Sequence, residues 1–199
     1  MRRPSSFAVW PLAAWLGLAA ASAGWRDQTL PPEAAQLNRT ADHAASAATA
    51  VRLYVQSLKL APDNGPALYG LGRALLDQDR PAEALKVFRR LARLFPGEAD
   101  VLEALAAAIA RQPDLRRAAV AEGRALADQA AQLQPDRPEA WHVLSVLCHL
   151  DGDYAAAAAA VRRAVELDAQ NPSDPEITAL YQQQEIACTD ALSVFSPLD

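Results

Sequence analysis

The chain has 199 residues with 51% apolar content, so it is long enough to bury one ordinary core, yet only 6% of it is aromatic. Alanine is abundant, which favours helix without filling space, and strand-type alternation is nearly absent. The net charge of −5 becomes −7 once Arg2 and Arg3 are removed with the leader, a balance that excludes a surface built to track nucleic-acid phosphates.

Residues 1–23 run from two arginines through an apolar stretch beginning at Phe7 to Ala21-Ser22-Ala23. That order is the one a secretory signal uses, with cleavage expected after Ala23. The rival reading is a retained anchor over residues 7–25, with Trp25 at the membrane interface. Either places the rest of the chain outside the cytoplasm, in a periplasm. Residues 24–30 read as a short polar neck.

From Pro31 onward one pattern repeats. In residues 65–98, Leu68, Leu71, Leu75 and Leu76 follow Pro66 at helical spacing, and Ala84, Phe88 and Leu91 follow Pro81 in the same way. Two short amphipathic helices result, neither able to bury its stripe alone. Gly72 and Ala84 are small where helix axes approach, and Leu71 and Phe88 are large where the gap needs filling. Thirty-four residues earlier stand Ala34, Leu37, Ala50, Tyr54 and Pro62, and thirty-four later Leu102 and Leu105. The phase then slips by five, giving Gly123, Ala127 and Pro135, and a last step reaches Ala157 and Val161. The third and fourth units are thus 99–137 and 138–171, after 31–64 and 65–98. Asn38 and Ala106 stand where the second unit has Gly72, which marks the first and third units as irregular. The stretch 43–50 offers alanines in place of turn residues, so the first two helices are expected to be loosely separated or nearly merged. The five extra residues of the third unit are expected to lengthen its second helix at the start, capped by Asp114. Residues 172–199 read as one further helix and a tail, the helix opened by a Ser173–Glu176 capping box, with Ile177, Tyr181, Cys188, Ala191 and Phe195 on one stripe. It reads as the cap that closes a solenoid.

These residue types at these offsets resemble the tetratricopeptide repeat, a helix-turn-helix unit of 34 residues. The resemblance implies an all-α solenoid of four repeats plus a C-terminal capping helix, and a protein or peptide partner held on the concave surface. Among exported members, the layout over 50–171 resembles the periplasmic repeat subunits of cytochrome c maturation. A scaffold for envelope assembly, in pilus, secretion or polysaccharide export, is the alternative.

No phosphate-cradling glycine loop, nucleophile motif or paired-cysteine metal site is present, so neither catalysis, a cofactor nor a metal is expected. His142 and His149, seven residues apart, are roughly 10 Å apart along a helix and cannot share a ligand position. The partner-binding residues expected on the concave face are Arg39, Tyr69, Arg73, Asp77, Glu103, His142 and His149. Arg111, Arg116, Arg117 and Arg124 form a candidate docking knob beside the insertion. Cys148 and Cys188 should sit at similar heights on adjacent parallel helices, so a disulfide between them is a further expectation in an oxidising compartment.

Overall fold

The computed structural model describes residues 24–195; residues 1–23, with the expected leader, and 196–199 lie outside the described residues. Among the described residues there are nine helices and no strand. They are α1 (Pro32–Asp42), α2 (Ala47–Leu60), α3 (Gly65–Asp77), α4 (Pro81–Leu94), α5 (Ala99–Ala110), α6 (Arg117–Leu133), α7 (Pro138–Asp151), α8 (Tyr154–Gln170) and α9 (Pro175–Phe195).

Each helix packs chiefly on its neighbours in sequence, and α1, α3, α5, α7 and α9 also touch in succession. That second set of contacts makes the odd-numbered helices one continuous inner wall, the geometry of a repeat solenoid. Close approach of α3 to the helices before and after it rests on missing side chains. A Cβ on Gly72 would lie 2.4 Å from the Phe88 ring, and one on Gly70 2.2 Å from the Tyr54 ring. Tyr54 and Phe88 therefore pack against α3 on nearly opposite faces, since Gly70 and Gly72 are roughly 200° apart around the helix.

Short links end each helix by local means. Asp79 adopts a left-handed φ of 54°, which lets the Arg80 N–H reach back to the Leu75 carbonyl at 2.9 Å. Gly152, at φ 83°, closes α7 similarly, and Asp153 then caps α8 by accepting from the Ala156 N–H. The stretch 43–50 is neither loose nor merged. Four residues part α1 from α2, and the Ser46 hydroxyl caps α2 by accepting from the Thr49 N–H.

The first repeat's departure from pattern has a purpose. Asn38 is buried and exchanges amide hydrogen bonds with buried Asn64, 3.2 and 3.3 Å long. Asn64 also donates to Ser57, whose hydroxyl donates to the Ala34 carbonyl, and caps α3 by accepting from the Ala67 N–H. Every polar atom in this chain of side chains has a partner, as burial requires.

Three expectations are corrected. The insertion does not simply extend a helix: α6 has 17 residues against 14 in α2 and α4, and residues 111–116 form a link. Leu115 packs onto the core there, which holds the chain out of helix until Arg117, and Asp114 is no cap. The Ser173–Glu176 box is absent as well. Asp174 accepts from the Glu176 N–H, while Ser173 donates its own N–H to buried Asp168. Finally, Cys148 and Cys188 are both buried and free. The Cys188 sulfur rests on Ser145 and His149 of α7, whereas Cys148 faces the gap between α6 and α8. Helices at matching heights thus present their thiols in different directions.

Candidate functional site

The inner wall holds the expected groove residues, but the chain's own neck lies across it. Residues 24–27 make a turn, closed by the Asp27 N–H on the Gly24 carbonyl at 3.0 Å. Trp25 projects from that turn into the wall and is 5% exposed. Its ring stacks on Tyr69 at 4.5 Å and 25°, and Tyr69 in turn meets Phe88 edge-on at 6.1 Å. Gly65 is what admits it, since a Cβ there would lie 2.9 Å from the Trp25 Cβ and 3.1 Å from the Phe95 ring. Arg26 lies 4.6 Å above the Trp25 ring and pairs with Asp100. Gln28 fastens the next residues, accepting from the Gly65 N–H at 2.8 Å and donating to the Asp63 carbonyl at 2.9 Å.

Asp100 is buried at the start of α5 and also receives Arg137, the residue before α7. Arg137 reaches Glu103 and Glu139 at 3.5 Å each, so one cation ties α5 to α7. Glu103 is only 14% exposed. Burial, reinforced by the Glu139 carboxylate, pushes its carboxyl up to about 7, and the Arg73 and Arg26 cations offset this only in part. Burial likewise raises the Tyr69 hydroxyl above its ordinary value.

The expected groove residues do not form one open surface. Tyr69 is covered by Trp25, while Arg73 and Asp77 are exposed and line a 330 Å³ cavity between α1, α2 and α3 with Asp42 and Tyr54. The neck thus covers the Tyr69 ring, while Arg73, one turn further along α3, stays exposed beside it. Arg39 is exposed on α1 and bonded to Gln36 at 2.6 Å. His142 and His149 face α9 rather than open groove. The His142 ring is 5.0 Å from Tyr181, and burial lowers its pKa, so it is neutral at neutral pH. His149 lies 3.8 Å from the Cys188 sulfur and 5.2 Å from Tyr154. A thiol beside an imidazole has the composition of a nucleophile pair, but Cys188 is fully buried and no substrate atom can approach it.

The arginine cluster divides too. Arg111, Arg116 and Arg117 are exposed around the link, whereas Arg124 is committed to Asp151 at 3.0 Å and Asp153 at 2.7 Å. Beside Arg124, a 580 Å³ cavity opens between α6, α7 and α8, with Trp141 and Cys148 among its lining residues and alanines over most of the rest. Burial raises the Cys148 thiol, so it is not activated. No group of three or more candidate metal ligands occurs among the described residues.

Sequence reasoning missed Trp25, Arg26, Gln28, Asp100 and Arg137. The one local trace was Gly65 at the start of α3, where α5 begins with Ala99 and α7 with Pro138.

Comparison with known proteins fits this architecture. The chain is 40% identical over 115 residues to "Cellulose synthase 2 operon protein C" of Komagataeibacter xylinus, covering 56% of this chain and 8% of that far longer protein. In fold it is similar to MamA (41-end) from Desulfovibrio magneticus RS-1, with a TM-score of 0.60 at 14% identity, covering 83% of this chain and 94% of that one. It is also similar to the type III secretion translocator chaperone SycD of Yersinia enterocolitica, with a TM-score of 0.53 at 19% identity over 65% and 92% of the two chains. Family models described as tetratricopeptide repeat match residues 43–109 and 117–172, and with both segments inside the helix array the chain belongs to the tetratricopeptide repeat family.

Proposed function

We propose that this chain is an exported adaptor, without catalytic activity of its own, that holds a protein or peptide on its inner wall during assembly of a cell-envelope polysaccharide. The observation that carries the reading is the inner wall, where aromatic, acidic and basic groups converge over α3, α5 and α7 on a rigid scaffold. Rigid placement of such groups is what peptide recognition needs, because it lowers the ordering cost of binding. The likeness to a cellulose synthase operon protein favours polysaccharide assembly over cytochrome c maturation, though it spans only 8% of that relative.

Export rests on residues 1–23. The burial of Trp25 supports cleavage over anchoring, since a docked Trp25 cannot also sit at a membrane interface. An anchor would then be confined to residues 7–23, at the short end of the roughly 17–25 residues that span a bilayer. Among the described residues no helix is long and apolar enough to cross a membrane.

The test is affinity capture from the native envelope with the wild-type chain and an Arg73→Glu/Asp77→Arg variant. Both positions are exposed, so the fold should survive, as surface changes usually allow. Capture of an envelope protein that drops about tenfold or more in the variant supports the reading. Undiminished capture by the variant would remove the inner wall from it. Mass spectrometry of the same material should find Gly24 as the amino terminus; an intact Met1 in a cytoplasmic fraction would reject export.

A further inference from the structure

The neck meets the inner wall as a ligand would, through a handful of side chains and no element of regular structure. We propose that Gly65, Tyr69, Phe95 and Asp100 form a socket for an aromatic residue followed by a basic one, and that Trp25–Arg26 fills it until a partner segment of the same chemistry displaces the neck. The proposal rests on the inner-wall reading above and specifies what that wall recognises.

Three observations carry it. The first is complementarity: Tyr69 supplies a ring for stacking, Gly65 supplies the space and Asp100 the charge, each matched to one part of the Trp-Arg pair. The second is that the present occupant fits imperfectly. The Trp25 Nε1–H is buried with no acceptor, although the residue is 95% enclosed. Docking strips that donor of water and returns nothing, a loss that a phenyl ring or a better-placed aromatic would not incur. The third is that the socket is stable without the neck's cation. Asp100 retains Arg137 when Arg26 leaves, so opening strands no buried carboxylate. Arg26 itself is more than half exposed, so its pairing is open to competition from solvent and from another cation.

Competition follows as simple linkage. A partner sees only the fraction of molecules whose neck is out, so its apparent affinity is reduced by that fraction, and any change that loosens the neck strengthens binding.

The experiment uses the full chain and a dye-labelled peptide of the neck sequence, GWRDQTL, read by fluorescence anisotropy. Trp25→Ala should bind the peptide about tenfold or more tighter than wild type, and Trp25→Ala/Tyr69→Ala should lose that gain. Arg26→Ala leaves no core cavity and should move affinity the same way by a smaller factor, which keeps the test decisive if Trp25→Ala fails to fold by circular dichroism. Equal affinity for wild type and Arg26→Ala, or no binding by any folded variant, overturns the proposal. A wild-type dimer that dissociates on Trp25→Ala also overturns it, by assigning the socket to the neck of a second copy. The two readings fail separately. Envelope capture that depends on Arg73 and Asp77, with no peptide bound by any variant, sinks the socket alone; peptide binding without envelope capture sinks the functional reading alone.

Discussion

Glu103 shows how one residue's surroundings override its type. An unfolded glutamate titrates near ~4.3, while in the folded wall the carboxyl is pushed up to about 7 by burial and by Glu139. Between those values the folded state binds the proton that the unfolded state has released, so stability falls as pH rises through that window and levels off above it. Replacing Glu103 by Gln should abolish the fall. Wild type and Glu103→Gln should have similar stability in urea melts at pH 4.5, and the variant should be more stable by about 1–3 kcal/mol at pH 8. An identical pH dependence in the two proteins would show that Glu103 is not the titrating group. Its neighbours keep their partners in the variant, since Arg137 still holds Asp100.

At the level of helices, the buried side chains between α1, α2 and α3 make a sharper case than any apolar contact. Asn64 is at once the cap of α3 and the acceptor and donor for Asn38 and Ser57. Asn64→Ala should therefore cost about 2–4 kcal/mol in chemical denaturation, more than a cap alone, because Asn38 and Ser57 lose partners in a dry interior. A loss below about 1 kcal/mol would mean that water replaces the amide. These helices were legible in advance because Leu, Ala, Phe and Pro recur at fixed offsets, and recurrence survives irregular members. Asn38 was read as a defect in the pattern, since periodicity scores size and polarity but not whether a buried amide meets its complement. The link 111–116 was misread for a related reason. Asp114 is a sound helix-opening signal, yet the partial burial of Leu115 outweighed it. The neck was illegible altogether, because a tryptophan that contacts residues 40 and 44 positions away belongs to no period.

Across the whole molecule, apolar packing is uneven. One core cluster contains Trp25, Tyr54, Phe88 and most of the buried leucines, whereas the cluster shared by α5–α9 is built largely of alanines, with Leu102, Leu144, Leu147 and Val161. Alanine buries little area, so the C-terminal half should open at lower free energy. Native-state hydrogen exchange should find amides of α3 and α4 protected longest and those of α8 and α9 released first; uniform protection would indicate one cooperative unit. Smooth alanine faces raise a second problem, that of choosing among near-equivalent ways to stack. A helix face of repeated methyl groups fits its neighbour almost as well after sliding by one turn, so packing alone leaves the alignment of successive units ambiguous. Directional contacts stand at three of the junctions: Asn38 with Asn64 between the first two units, Asp100 with Arg137 and Arg124 with Asp151 and Asp153 where the third meets the fourth, and Asp168 with Ser173 and Thr178 at the cap. Each is satisfied in one alignment and broken by a shift of a few ångströms. The polar junctions thus act as an address code along an otherwise repetitive surface, deciding which neighbour alignment counts as native.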